Sequence, residues 1–138
     1  LRTDEIRKRH FGLAPEQRLP PEGYAEHVSA AVHAEMFAMA ATALAAGQAV
    51  VLDAVFLDPA HRARAEAVAR AAGCRFDGIW LEAPIDVLRA RLAARTGDAS
   101  DATEEVLLRA AAVDPGPMAW HRVTADENAA AAARRVLA

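Results

Sequence analysis

An acidic residue closes a short apolar run in the middle of the sequence. Asp53 follows the four apolar residues 49–52, and this pattern is typical of a carboxylate at the tip of a buried strand of a parallel sheet. In nucleotide enzymes a carboxylate at that place can hold a magnesium-bound water. An aspartate that only caps the following turn fits the pattern equally well, so the residue alone leaves both interpretations open.

A second acid, Asp4, stands near the start of the chain, ahead of the basic run 7–9. A carboxylate here can anchor a substrate or accept the proton of a hydroxyl group that attacks phosphorus. Early acids followed by bases also complement the dipole of a helix. Taken alone, the position of Asp4 therefore favours an acid at a helix N-cap over a substrate anchor or general base.

Three arginines, Arg89, Arg91 and Arg95, fall within one predicted helix that precedes the polar segment 96–102. Arg91 and Arg95 are four residues apart, so we expect them to share a helix face. Paired guanidinium groups beside a mobile loop suit the stabilisation of charge on a transferring phosphoryl group. A solvated basic face is the commoner alternative, because 16 residues are Lys or Arg and all but one of these are arginine.

Other catalytic groups have little support in the sequence. The five histidines form no HExxH motif and no pair spaced four apart, which argues against a histidine metal site. Neither serine lies in a GxSxG motif, so a hydrolase nucleophile elbow is excluded. Cys74 is the only cysteine, which excludes an intrachain disulfide and a Cys-cluster zinc site. Its place between a helix-ending glycine and an apolar run predicts a small buried residue.

Length and composition limit the class of protein. The 138 residues suffice for one domain, and 54% apolar with 25% charged residues is a globular balance. A net charge of −3 disfavours a protein that coats nucleic acid by neutralising its phosphates. No uninterrupted apolar run approaches the roughly 18 residues of a membrane span. The sequence begins at Leu1 with no signal-peptide pattern, and we expect it to be a piece of a longer chain.

Helical and strand patterns alternate along the sequence. We predict helices near 4–11, 24–46, 59–72, 84–95, 103–112 and 126–137, and strands at 49–53, 75–81 and 120–124. Asp58 and Asp126 are predicted caps, and Trp80 and Trp120 are predicted core residues. Such alternation indicates a parallel α/β sheet, whose ligands bind at the carboxyl ends of its strands. Asp4, Asp53 and Glu82 are the acids expected at that edge.

Four segments, taken in order, carry a family resemblance. They are 1–9 (LRTDEIRKR), 50–56 (VVLDAVF), 80–84 (WLEAP) and 91–102 (RLAARTGDASDA). Together they resemble the predicted P-loop kinases of the AAA-type ATP-binding family, which are akin to gluconate kinase, chloramphenicol phosphotransferase, zeta toxin and the polynucleotide kinase domain. The resemblance implies an α/β fold, a P-loop NTPase-like three-layer sandwich with a parallel sheet. It also implies a single domain over 1–138 with a lid at about 96–112.

The resemblance further implies an ATP-dependent phosphotransferase that moves the γ-phosphate to a hydroxyl group of a small molecule or a polymer end. Asp4 matches the acid after the family's second strand, which contacts the acceptor hydroxyl and can serve as base. Arg7 and Tyr24 belong to the implied acceptor site. A small-molecule acceptor is the favoured partner, and a nucleic-acid end is less favoured. No membrane partner is implied, and the implied location is cytoplasmic.

The implied cofactors are ATP and Mg²⁺. Asp53 matches the Walker B acid, which reaches magnesium through water. Arg91 and Arg95 match lid arginines that clamp the phosphates of ATP and act in catalysis. In bacteria this kind of domain is often fused behind an aminoglycoside-phosphotransferase-like domain, so such a fusion is implied for the natural protein.

The family's phosphate-binding motif, GxxxxGK[ST], does not occur in the sequence, whose only lysine is Lys8. We expect that roughly 30–40 residues carrying the first strand and the phosphate loop precede Leu1 in the natural protein, a length typical of one strand–loop–helix unit. The 138 residues alone are then expected to be inactive as a kinase. A degraded relative that does not bind ATP is the other explanation. The alternative function is then a catalytically inactive module with a regulatory or interaction role. A nucleotidase would need a further acid cluster, which the sequence lacks.

Overall fold

The computed structural model describes residues 1–125 and 129–138. Its elements are α1 (Thr3–His10), a 3-10 turn (Pro21–Tyr24), α2 (Glu26–Ala45), α3 (Pro59–Ala71), β1 (Ile79–Glu82), α4 (Ile85–Ala94), α5 (Glu104–Ala112), β2 (His121–Thr124) and α6 (Ala129–Leu137). Strands β1 and β2 pair in parallel. The chain is therefore mixed α/β with a parallel sheet, which agrees with the predicted fold class at this coarse level. The predicted cap at Asp126 lies outside the described residues.

The chain forms two compact units. Unit 1 contains residues 1–74 and 96–101, and unit 2 contains residues 75–95 and 102–138. Unit 1 holds helices α1, α2 and α3, and unit 2 holds both strands with α4, α5 and α6.

Unit 1 has a helical core in which α2 packs against both α1 and α3. Val32 and Met36 are wholly buried, and they lie four apart on one face of α2. Val28 and Met39 of the same helix are only half-buried. The buried apolar residues of unit 1 are Ile6, Leu19, Val32, Met36, Phe37, Ala40, Phe56, Ala65, Val68, Ala69 and Ala99.

Helix α2 has a second property. Among the described residues it is the one helix whose 20 residues are long and apolar enough to cross a membrane by length and composition alone. The sequence contains no uninterrupted apolar run of that length, because Glu26 and Glu35 lie within the helix. A core helix of a soluble protein meets the same criterion.

The predicted strand at 49–53 is not a strand in the structure. One parallel bridge joins Asp53 to Arg2, with Asp53 N donating to Leu1 O at 2.8 Å and Thr3 N donating to Asp53 O at 3.1 Å. The prediction of a buried strand is wrong here, since Val51 is 79% exposed. A buried parallel strand needs neighbours along both edges and cover on both faces, whereas this segment pairs with residues 1–3 along one edge.

Element ends follow local chemistry, with two corrections. The Asp58 side chain accepts a hydrogen bond from Ala60 N at 2.8 Å and Pro59 opens α3, as predicted. Helix α4 ends at Ala94, and Arg95 is extended with ψ 130°, so Arg91 and Arg95 do not share a helix face. Cys74 is exposed, so its predicted burial is wrong.

Unit 2 packs loosely by comparison. Among its described residues Val123 is the one buried apolar side chain, while Leu81 and Leu108 are exposed. Trp120 is half-buried against the backbone at Gly78, where an added Cβ would lie 2.3 Å from the indole ring. Trp80 is half-buried as well, so both tryptophans are only partly in the core.

Candidate functional site

The amino end of α1 gathers acidic side chains around Arg2. Its Nε lies 3.1 Å from Asp53 Oδ2, and its Nη2 lies 2.7 Å from Asp98 Oδ1. Asp98 Oδ1 also accepts a hydrogen bond from Ser100 N at 2.8 Å. Arg2 therefore neutralises two acids that are 45 positions apart in sequence, and it ties segment 96–101 to the start of α1.

Asp4 lies in the first turn of α1, beside this cluster. The N-cap position is occupied by Arg2, so Asp4 is not the cap residue. Its half-buried carboxylate is hydrogen-bonded to the side chain of Ser100. Burial raises the pKa of Asp4 above its ordinary value, and Arg2, Ser100 and Arg7 offset that effect only in part. A carboxylate with a raised pKa is a stronger proton acceptor once it is ionised.

Asp53 is more open to solvent. Its side chain is 65% exposed even though it is paired with Arg2. Among the described residues no group of three His, Cys, Asp or Glu side chains could hold a metal ion. Magnesium in phosphoryl-transfer sites commonly takes one or two carboxylates together with waters and substrate phosphates. Asp53 fits a contact of that kind through water, and the described residues offer no all-protein cage.

Arg7 and Tyr24 are fixed against each other. Arg7 is buried, and its Nη1 donates to Gly23 O at 2.8 Å and to Ser29 Oγ at 3.1 Å. Its Cζ lies over the Tyr24 ring, 5.4 Å from the centroid. The Tyr24 hydroxyl donates to Asp101 Oδ2 at 2.9 Å. The guanidinium group thus turns inward to hold the 3-10 turn, while the tyrosine remains 48% exposed.

The sequence reasoning missed the pair formed by Lys8 and Asp101. Lys8 Nζ lies 2.5 Å from Pro15 O and 3.1 Å from Asp101 Oδ1, and the two side chains are 1% and 10% exposed. Burial by itself would raise the pKa of Asp101, but hydrogen bonds from Leu19 N, Tyr24 Oη and Lys8 Nζ together hold it below its ordinary value. The one available signal was a lone lysine in an arginine-rich chain and an unassigned acid 93 residues later.

The predicted site residues divide between the two units. Unit 1 brings Asp4, Arg7, Tyr24 and Asp53 into one region. Arg91 and Arg95 belong to unit 2 and are exposed, and their contact with phosphates stays a prediction. In the same unit Arg89 pairs with Asp86 and Glu104, as expected for a solvated face. Residues 96–101, at the start of the predicted lid, belong to unit 1.

Comparison with known proteins adds one finding. Residues 1–115 match the family model described as an AAA domain. No curated protein matches the chain. The match covers all of unit 1 together with part of unit 2, and it supports the P-loop kinase-like resemblance of the four segments. Because the matched residues make up more than half of the sequence, the chain belongs to the AAA domain family.

Proposed function

We propose that this protein is an ATP-dependent phosphotransferase that transfers the γ-phosphate of ATP to a hydroxyl group of a small molecule, with Asp4 as general base. The observation that carries the proposal is the half-buried Asp4 carboxylate, which is held by Ser100 beside the pair formed by Arg2 and Asp53. Family membership supports nucleotide chemistry. The net charge of −3 favours a small acceptor over a nucleic-acid end.

The proposed role of Asp4 is to accept the proton of the acceptor hydroxyl group as its oxygen attacks phosphorus. The hydrogen bond to Ser100 orients the carboxylate before substrate arrives. Arg2 and Arg7 keep positive charge close to Asp4. This charge limits the repulsion between the ionised carboxylates of Asp4 and Asp53.

The proposed cofactors are magnesium and ATP. When bound, the metal ion supplies neutralisation of charge on the β- and γ-phosphates. Asp53 would hold it through water, and Arg91 and Arg95 would contact phosphate oxygens. Lys8 does not serve as the family's phosphate-loop lysine, because it is 1% exposed and paired with Asp101.

The test is transfer of radiolabelled γ-phosphate from ATP to a panel of hydroxyl compounds. It uses the 138-residue chain and the natural gene product that contains it. Asp4→Asn should lower kcat about 100-fold to 10,000-fold, which is the usual contribution of a general base. Glu5→Gln is the matched control, since Glu5 is the adjacent, exposed acid of the same helical turn. Equal rates for Asp4→Asn and wild type would contradict the role of Asp4.

A second candidate is a kinase-like module without catalysis. One observation favours it: the sequence contains no GxxxxGK[ST] motif, and its single lysine is buried. Calorimetry with magnesium–ATP separates the two candidates. If neither folded chain binds magnesium–ATP, the module is correct and the kinase is not.

A further inference from the structure

One carboxylate in unit 1 collects hydrogen bonds from three separate parts of the chain. Asp101 accepts from Lys8 Nζ at 3.1 Å, and from Leu19 N and Tyr24 Oη at 2.9 Å each. These donors belong to α1, to the loop that follows it and to the 3-10 turn. Since the Asp101 side chain is only 10% exposed, these bonds replace most of its contact with water. Asp101 therefore fixes three segments relative to one another.

Tyr24 is held at two points although it is 48% exposed. Asp101 binds its hydroxyl group, and the guanidinium group of Arg7 lies over its ring. Arg7 is itself fixed by Gly23 O and Ser29 Oγ. Ordering a side chain that stays about half exposed costs conformational entropy and gains only part of the possible burial. Such an arrangement is typical of a side chain that is preorganised for a ligand.

The tethered ring lies against the helix that carries the proposed base. Asp4 and Arg7 are three residues apart on α1 and share a helix face, and the Arg7 guanidinium group lies over the Tyr24 ring. Burial and the hydrogen bond to Asp101 raise the pKa of Tyr24 well above its ordinary value, and the negative charge of Asp4 adds to the effect. A tyrosine is protonated at neutral pH even at its ordinary pKa, so Tyr24 offers an uncharged, largely apolar ring beside the face of α1 that carries Asp4 and Arg7. A ligand that used both residues would place a hydroxyl group at Asp4 and carbon atoms against the ring.

We propose that Asp101 is a positioning residue, which holds the Tyr24 ring ready to contact the carbon skeleton of the acceptor while Asp4 takes its proton. The inference rests on the proposed phosphotransfer and narrows the acceptor class. The acceptor carries its reacting hydroxyl group on a ring with an apolar face, as a cyclic sugar does. Segment 96–101 then forms a fixed wall of the acceptor site, because Asp98, Ser100 and Asp101 bond along α1 to its N-cap Arg2, to Asp4 and to Lys8.

Tyr24 is the only tyrosine of the chain, so one spectroscopic signal reports on the tether. Protein labelled with tyrosine carrying ¹³C at Cζ gives a single resonance. In Asp101→Ala this resonance should move toward the position of free tyrosine, and the pKa of Tyr24 should fall but stay above its ordinary value, because the burial of the side chain remains. Asp77→Ala is the control, because it removes an aspartate that pairs with Arg75 in unit 2. An unmoved resonance in Asp101→Ala overturns the inference.

Asp101→Ala leaves the buried Lys8 without its carboxylate partner and can fail to fold. The double variant Lys8→Met/Asp101→Ala removes both charges, which usually costs far less than removing one. It should move the tyrosine resonance in the same direction as Asp101→Ala does. A tyrosine resonance of the double variant that stays at the wild-type position also overturns the inference.

Kinetics test the consequence for the acceptor. Tyr24→Phe keeps the ring and removes only the hydroxyl group that binds Asp101. We expect the KM for a cyclic sugar acceptor to rise about tenfold, as for loss of one hydrogen bond to a charged group, with kcat changed less than about twofold. A linear polyol should show no such rise. If Tyr24→Phe leaves KM unchanged for every acceptor that wild type phosphorylates, the inference is overturned. If wild type phosphorylates no acceptor, the proposed function is contradicted, and the tyrosine resonance alone tests whether Asp101 holds Tyr24.

Discussion

Unit 1 and unit 2 use their charged residues differently. In unit 1, Lys8, Arg7 and Arg62 are buried, and the partners of Lys8 and Arg7 are 7 to 93 residues away. In unit 2 the ion pairs are exposed, and one of them joins Glu105 to Arg109 within a single helix. Burial makes a charge expensive unless a partner is placed for it. Unit 1 therefore depends on distant residues meeting around buried charges, whereas the charged pairs of unit 2, which include the long-range pair of Arg122 with Glu82, keep more of their contact with water.

Apolar side chains, like the charged ones, are more deeply buried in unit 1 than in unit 2. Unit 1 buries a continuous group of side chains around α2, while the described part of unit 2 buries Val123 alone among its apolar side chains. A unit with so little buried apolar surface gains little hydrophobic stabilisation. The difference implies that unit 1 carries most of the free energy of folding and that it is also the unit with a site rigid enough for chemistry.

The largest expected effect comes from breaking the buried pair. Lys8→Met removes the partner of Asp101 and should lower the free energy of unfolding by about 3–5 kcal/mol, because it leaves a buried charge without its counterion. Arg109→Gln is the matched control in unit 2. It breaks an exposed pair four residues apart and should cost at most about 0.5 kcal/mol. Urea denaturation measures both, and equal costs would remove the distinction between the units.

Sequence reasoning succeeded where structure is local and failed where it is not. The cap at Asp58, the ends of α1 and α3 and the start of α5 follow from neighbouring residues, and they were predicted to within a few positions. Hydrophobic patterning also identified Asp53 as the end of an apolar segment. Whether that segment pairs along both edges depends on residues far away in sequence, which is why its exposure could not be predicted.

The candidate site shows the same limit. Asp4 was singled out from its position ahead of a basic run, Arg7 and Tyr24 were chosen through a family resemblance, and the structure brings the three together. Asp101 was missed because three donors converge on it from α1, a loop and a 3-10 turn. No spacing rule connects such positions, since loops of unlike length separate them. Long-range polar contacts of this kind become visible only once the helices are packed.

A second prediction tests the apolar part of the comparison. Met36 is wholly buried in unit 1, and Met36→Ala should lower the free energy of unfolding by about 2–5 kcal/mol through lost burial and a residual cavity. Leu108→Ala is the control, because Leu108 is 41% exposed on α5 and surface changes usually stay within about 0.5 kcal/mol. Thermal unfolding followed by circular dichroism would show the contrast. A larger loss for Leu108→Ala would mean that unit 2 holds more of the stability than its burial indicates.

A third prediction concerns the tightest contact in unit 2. Gly78→Ala would place a methyl group 2.3 Å from the Trp120 ring, and we expect it to cost about 1–3 kcal/mol by overpacking. Both tryptophans lie in unit 2, so their fluorescence follows that unit. The fluorescence transition should move to lower urea concentration. If the fluorescence transition does not move, the indole ring of Trp120 shifts freely, and its contact with Gly78 is not tightly packed.

The smallest expected effect is a dependence of unit 1 on pH. His33 stacks on His61 with ring centroids 3.9 Å apart, and its Nδ1 lies 2.8 Å from Ser29 O. Burial lowers the pKa of His33, His61 and Arg7 add to this effect, and the Ser29 carbonyl and Asp58 oppose it. The neutral imidazole therefore contributes stability that is complete above the ordinary histidine pKa of 6.5.

That contribution is lost as the pH falls from 6.5 through the lower pKa of the folded protein, because the unfolded chain then binds the proton more readily. The urea concentration at the unfolding midpoint, measured between pH 5 and 7.5, should thus decrease toward pH 5 for wild type. It should change less with pH for His33→Gln. His27→Gln is the matched control, since His27 is an exposed histidine of the same helix, and it should retain the wild-type slope. A pH dependence of the urea midpoint that survives in His33→Gln but disappears in His27→Gln would place the titrating group outside the core of unit 1. The half-buried imidazole of His33 would then not contribute to the difference between the two units.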